Sequence, residues 1–431
     1  MSLRRFWYFL TVGFVFVATG ALSMSSSLAA PRYAPNNYAA MNYASTNYKM
    51  LYSFQGENEI SDDDDDGSNA ASGLIFDSSG NAFGTTVTGG VYDCGTVFEL
   101  KPLAHGQWQE VVLYNFTCFA DGKNPHGGVT FDSAGNLVGT TVAGGSGPMC
   151  SGDGCGVVFK LTPSGESVLY NFTGGNDGFG PGSAVVFDKA GNIYGETPDG
   201  GAHSAGTVYE LSLRNGNWHE KILHAFTGGR DGAVGSLGPL LLDGRGRLWG
   251  VTELGGLHMA GTAFRMSQDS NGTWDLTTLY AFNGQPDAAF PYGGLIPDGA
   301  GNLYGTTYYG GASGVGTVYQ LVPGRNGWTE NVLYSFKGGT DGSLPTSTLY
   351  FDAAHNLWGT TSTGGRPSCD CGTIFKLKPN PWRESIVHDF GVLPDGSYPY
   401  YGLTPNASGT LFSTSNYGGL DGFGTVFSIK P

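Results

Sequence analysis

A chain of 431 residues with hydrophobic residues at 40% has enough apolar material for a large core, but 73 glycines exclude a helical one. Charged residues are scarce at 13% and the formal net charge is −15, a balance that excludes nucleic acid and anionic membrane surfaces as natural partners. Aromatic residues at 13%, with abundant Thr and Val, favour short strands joined by tight turns.

In chain order, residues 1–30 carry Arg4 and Arg5, an apolar run from Phe6 to Met24, and small residues before Pro31. This is the pattern of a signal peptide cleaved after Ala29 or Ala30, with an uncleaved anchor as the alternative. Its loss takes away two arginines and no acid, so the formal charge moves from −15 to −17. The expectation is a secreted or periplasmic monomer, not inserted in a membrane after cleavage and with no C-terminal anchor. Residues 31–49 place Tyr33, Tyr38, Tyr43 and Tyr48 five apart, a period of neither helix nor strand, and read as a flexible Asn/Tyr-rich linker.

From residue 50 to 431 the chain repeats itself. Glycine doublets fall at Gly89-Gly90, Gly144-Gly145, Gly200-Gly201, Gly255-Gly256, Gly310-Gly311, Gly364-Gly365 and Gly418-Gly419, a period of 54–56 residues. Four strand signals recur within each period, as in "GLIPD", "NLYGTT", "GTVYQL" and "WTENVLYSF" of residues 294–336; they are designated a, b, c and d. The a-to-b link is a compact turn such as "DSSGN", in which Asp bonds forward to backbone and Gly supplies positive φ; His355 takes the Gly place in "DAAHN". A single four-stranded sheet cannot bury both of its apolar faces, so the sheets must lean on one another. The expected fold is all-β: a seven-bladed β-propeller of four-stranded antiparallel blades. Residues 50–54, "MLYSF", are a lone d strand, and the last unit stops at a c strand. The N-terminal strand is therefore expected to complete the last blade and close the ring.

The combination "NLYGTT..GG....GTVF.L.P" followed by "W.E..LYSF.GG.DG" resembles the GloVer tandem repeat of exported bacterial proteins, some known as choice-of-anchor proteins. The a-to-b turn with "NLWGTT" is also similar to kelch and regulator-type propellers. The resemblance implies export and a repeat domain, and no particular activity.

The d-to-a and b-to-c connections share one face, where local function is expected. Asp66, Asp121, Asp177, Asp231, Asp287, Asp341 and Asp395 recur in the d-to-a loops. They form either a carboxylate ring that attracts Ca²⁺ or, more plainly, Asp-Gly turns; no other cofactor is called for. The run "SDDDDDG" at 61–67 reads as a solvated acidic loop. Six cysteines suit an oxidising compartment. Loop topology favours the pairs Cys94–Cys118, Cys150–Cys155 and Cys369–Cys371, with a metal site as the alternative.

Departures from the repeat are more telling than its constants. Phe290, Tyr292, Tyr308, Tyr309, Tyr398, Tyr400, Tyr401 and Tyr417 gather in or beside this face in the fifth and seventh units, where rings either bind sugar or protein ligands or fill the space between blades. Glu196 and Glu253 stand near the ends of adjacent b strands, with His203 and His258 in the loops that follow. That set is the candidate acid–base machinery of a lyase or glycoside hydrolase, against a reading of neutral substitution. The leading expectation is an exported, noncatalytic propeller that binds a glycan or a cell-envelope protein; the extracellular enzyme is the alternative.

Overall fold

The computed structural model of the chain describes residues 47–56, 66–70, 72–150, 152–391 and 393–431. The expected signal peptide and nearly all of the linker and acidic run lie outside them. Seven antiparallel sheets succeed one another along the chain: blades 1 to 7 at residues 67–115, 123–171, 179–225, 233–281, 288–335, 343–389 and 396–429. Tyr48–Ser53 pairs with Thr425–Ile429, so the N-terminal strand is the outermost strand of blade 7, as the sequence predicts. It begins at Tyr48, two residues inside the stretch assigned to the linker. Helix among the described residues is limited to two 3₁₀ turns, Ala104–Gly106 and Gly339–Asp341.

Strand a differs from its predicted form. In blade 5 it is split into Ala288–Pro291 and Ile296–Pro297, both paired with strand b at Leu303–Gly310. The break falls where the backbones of neighbouring blades crowd at the ring axis. A Cβ on Gly293 would sit 2.4 Å from the Ser347 carbonyl oxygen of the next blade, and one on Gly127 would sit 2.4 Å from the Ser183 carbonyl carbon. Blades 1 to 6 accordingly place Ser72, Gly127, Ser183, Gly238, Gly293 and Ser347 there. The first Thr of "GTT" in strand b reaches across to the same positions, as in Thr140 to Ser183 O and Thr306 to Ser347 O, both 2.9 Å.

The apolar cores lie between blades. The aromatic residue closing each d strand is fully buried and meets, edge to face, an aromatic on strand c of the next blade. The seven pairs are Phe54–Phe98, Phe116–Phe159, Phe172–Tyr209, Phe226–Phe264, Phe282–Tyr319, Phe336–Phe375 and Phe390–Phe427, with centroids 5.0–5.5 Å apart. The first of them joins blade 7 to blade 1.

A backbone clip accompanies each pair. Asn69, Asn124, Gly180, Val234, Phe290, Leu344 and Tyr398 all have positive φ. Each donates its N–H to the b-to-c loop of the preceding blade, at 2.8–3.0 Å. In five blades Pro follows this residue and presses on the Gly that opens the preceding blade's strand c. At Gly316, φ is 106° and a Cβ would lie 2.4 Å from Pro345 Cδ, which is why "GT" opens strand c. His355 sits at φ 59° in its turn, as the sequence predicts.

Gly316→Ala is expected to cost about 3 kcal/mol from left-handed strain and overpacking together. Gly314→Ala, at φ 78° with its nearest neighbour a flexible Gln285 side chain at 3.5 Å, should cost about 1 kcal/mol. Urea unfolding midpoints of the two variants measure the difference.

Candidate functional site

The three cysteine pairs form as the loop topology suggested, with Cα separations of 5.4, 5.3 and 5.2 Å. They tie loops on the face shared by the d-to-a and b-to-c connections. Among the described residues no helix is long and apolar enough to cross a membrane.

The recurring aspartates are taken up in blade interfaces. Each accepts a hydrogen bond from strand d of the preceding blade. The donors are Tyr52, Tyr114, Tyr170, Tyr280 and Tyr334 in five interfaces, at 2.5–3.1 Å; His224 and His388 take the same place in the other two. Where the partner is Tyr, a glutamate on the following d strand faces the aspartate: Glu110, Glu166, Glu220, Glu330 or Glu384. Burial first, and the neighbouring aspartate second, push these up to about 8, 7, 7, 9 and 7. Where the partner is His, the glutamate is replaced by Leu276 or by Tyr48, which stacks on His388 at 3.7 Å. The exchange leaves the aspartate without a second acid beside it wherever its partner is His. Among the described residues no group of three or more His, Cys, Asp or Glu is placed to hold a metal ion.

The sequence-predicted catalytic set is divided by the structure. Glu196 occupies the place of the first Thr of "GTT", 2% exposed between blades 3 and 4 and close to Gly235 and Gly250. Ser236 backbone approaches it, but neither carboxyl oxygen has a hydrogen bond of ordinary geometry, and burial raises its pKa well above the usual range. Glu253 lies two rungs nearer the loop face, because Val251 is the residue equivalent to Glu196. His203 and His258 are exposed in their loops.

The predicted aromatic set forms a chain of neighbouring rings, of which Tyr292 and Tyr308 lie beside Glu253. Tyr292 and Tyr308 have centroids 5.8 Å apart, and Tyr308 meets Tyr309 edge to face at 4.7 Å. The same T-shaped pairing recurs in Phe290–Tyr309 and Tyr398–Tyr417, at 5.8 and 5.9 Å, with Tyr309 and Tyr417 exposed. Phe290 and Tyr398 also serve as clip residues. Tyr400 lies in the electrostatic neighbourhood of Tyr292 and Tyr308, and Tyr292 in that of Glu253 and Tyr401.

Tyr401 holds the axial position that the other blades give to Ser or Gly. It reaches past blade 1 to His126 of blade 2, with its hydroxyl 2.6 Å from Nδ1. Sequence reasoning missed His126, 275 residues away; the legible signal was a bulky Tyr in a ring of small residues. Burial lowers His126 to about 4, so the neutral ring accepts from Tyr401 while also bonding the Gly182 backbone.

Contributions from blades 2, 4, 5 and 7 can meet only at the axis. His126, Glu253, Tyr292 and Tyr401 are each surrounded by protein yet keep accessible surface, the combination a concave wall produces. Tyr292 and Tyr308 stand beside Glu253 there, and Tyr401, bonded to His126, stands beside Tyr292. Burial pushes Glu253 up to about 7, and among the described residues no hydrogen bond or ion pair reaches its carboxyl.

The sequence model of the Gloeobacter/Verrucomicrobia repeat matches residues 147–366 and 271–431. No curated protein matches the chain in sequence. Similar solved structures include a fungal alcohol oxidase of the AA5 family in complex with copper, with TM-score 0.51 and 13% identity over 85% of this chain and 74% of that one. A gluconolactonase from Xanthomonas campestris has TM-score 0.41 and 13% identity, with 89% of each chain covered. A protein of unknown function from Dyadobacter fermentans has TM-score 0.42 and 14% identity, over 70% of this chain and 93% of that one. At these identities the likeness is one of fold alone.

The glutamates of the Tyr–Asp–Glu interfaces set a pH dependence. Glu330 is raised from 4.5 to about 9, so its contribution to stability is fully present below pH 4.5 and is lost as pH rises through 9. The wild type should therefore lose stability relative to Glu330→Gln between pH 5 and pH 9. Urea midpoints that run parallel over this range would contradict it.

Proposed function

We propose that this chain, which belongs to the Gloeobacter/Verrucomicrobia repeat family, is an exported, noncatalytic propeller that binds a glycan at the tyrosine-lined mouth of its axis. The observation that carries this reading is a cluster of rings beside one carboxyl: Tyr292 and Tyr308 lie next to Glu253, Tyr400 next to both tyrosines, and Tyr401 bonds across the ring to His126. Tyrosine faces stack on the C–H faces of sugar rings, while hydroxyl and carboxyl groups at their edges fix orientation. Export is supported by the N-terminal sequence pattern and by three disulfides on the loop face. A cell-envelope protein is the other partner class that such a mouth suits.

One observation favours the enzymatic alternative: Glu253 is held near neutrality, in the range suited to a general acid or base. Lyase or glycosidase chemistry of the paired-carboxylate kind needs a second acid across the substrate, roughly 5–10 Å away. Glu196 is enclosed between blades and does not provide an accessible one, so binding is the better-supported function.

A glycan array probed with the purified protein tests this. Binding is expected for the wild type and to fall by about tenfold or more in Tyr292→Ala and Tyr308→Ala, the loss of one stacked aromatic. Unchanged binding in both variants would remove the mouth as the site, and turnover of a bound oligosaccharide would establish the enzymatic reading instead.

A further inference from the structure

The proposed mouth has an unbalanced charge. Two positions per blade surround it: one at the upper end of the inner strand, one three residues after the Gly of strand b's "GTT". The inner positions hold His126, Gly182, Leu237, Tyr292, Thr346 and Tyr400, with residue 71 outside the described set. The strand b positions hold Val87, Val142, Pro198, Glu253, Tyr308, Ser362 and Asn416. Neither ring contains a lysine or arginine. His126 is neutral and engaged with Tyr401 and the Gly182 backbone. The next acid along this face, Asp199 beside Pro198, adds to the same sign.

Glu253 is thus a carboxyl beside tyrosine rings, with no cationic partner among the described residues. A protein that needed only to stack a neutral sugar gains nothing from this arrangement, since burying a carboxyl without a partner is costly and an amide or hydroxyl would accept hydrogen bonds equally well. A carboxylate beside aromatic faces is instead the environment that a ligand ammonium favours, through charge pairing and attraction to the ring quadrupoles. We infer that the mouth recognises a protonated amine, and that the glycan it takes is an amino sugar with a free ammonium group, paired with Glu253 and seated against Tyr292 and Tyr308. This rests on the proposed glycan-binding reading of the same mouth and names the ligand class within it.

The inference carries a proton balance. Burial holds free Glu253 at about 7, so at pH 6 it is mostly protonated. An ammonium docked beside it stabilises the carboxylate, and the carboxyl proton passes to the buffer. The groups facing Glu253 and its surroundings are Tyr292, Tyr308, Tyr400, Tyr401 and neutral His126. Their burial-raised phenols and lowered imidazole do not titrate near pH 6, whereas Asp199 farther along the face, which burial pushes up to about 6, does. Glu253 is the acid beside Tyr292 and Tyr308, and loss of the release in Glu253→Gln distinguishes its proton from that of Asp199.

The test is calorimetric titration of the purified protein at pH 6, in two buffers of different ionisation heat. The probes are a glucosamine hexamer, an N-acetylglucosamine hexamer and cellohexaose, with a lysine-rich peptide as control. The glucosamine hexamer is expected to bind about tenfold tighter than the acetylated one, the scale of a desolvated cation–π and charge contact, with release of most of one proton. Glu253→Gln should abolish both the preference and the release, while Tyr308→Ala weakens all three sugars. Equal binding of the three hexamers, unaffected by Glu253→Gln but weakened by Tyr308→Ala, would overturn the inference and leave the glycan-binding reading intact. Binding of no hexamer, with or without binding of the peptide, would overturn both.

Discussion

The structure depends on one contact made seven times: the aromatic ring that ends each outer strand, packed edge to face on an aromatic in strand c of the next blade. Each ring is fully buried only because a neighbouring blade covers it. A single sheet therefore has no stable way to stand alone, and the ring is the arrangement in which every sheet has a neighbour on both sides. The positive-φ clips and the Gly–Pro approaches fix the distance and angle at which those aromatic pairs meet. The closing pair, Phe54 on Phe98, places the N-terminal strand under the same constraint as every other d strand.

Because the blades are held so closely, the axis has little room, and its occupants are decided by sterics. Small residues line it in six blades, and the seventh supplies Tyr401. That one departure reaches past blade 1 to His126 of blade 2. Function, on this account, arises where the repeat is broken: Tyr401 and Tyr400 in blade 7, Tyr292 and Tyr308 in blade 5, Glu253 in blade 4. The aspartates present in every copy do interface work, as their Tyr, His and backbone partners show.

Much of this was legible from sequence for a simple reason: a period of 54–56 residues repeats every local decision seven times, so chance patterns cancel. Blade number, strand order, ring closure at residues 50–54 and the three cysteine pairs all follow from position within the repeat. The splitting of strand a was not legible, since it results from backbone crowding between blades and not from any preference of "GLIPD" itself. The Tyr401–His126 contact was hidden by its separation along the chain. Glu196 and Glu253 looked alike because both sit near the end of a b strand; a shift of two rungs encloses one and opens the other. The substitution of Leu276 and Tyr48 for glutamate opposite the His–Asp pairs was readable in principle, but only once the partner across the interface was known.

The central claim is that the seven interfaces are equivalent and that the N-terminal strand completes the last of them. Urea unfolding of Phe54→Ala beside Phe282→Ala addresses it most directly. The account predicts one cooperative transition in each variant, with similar losses of about 3–5 kcal/mol. A Phe54→Ala midpoint equal to that of the wild type, or its separation into two steps while Phe282→Ala unfolds in one, would contradict it.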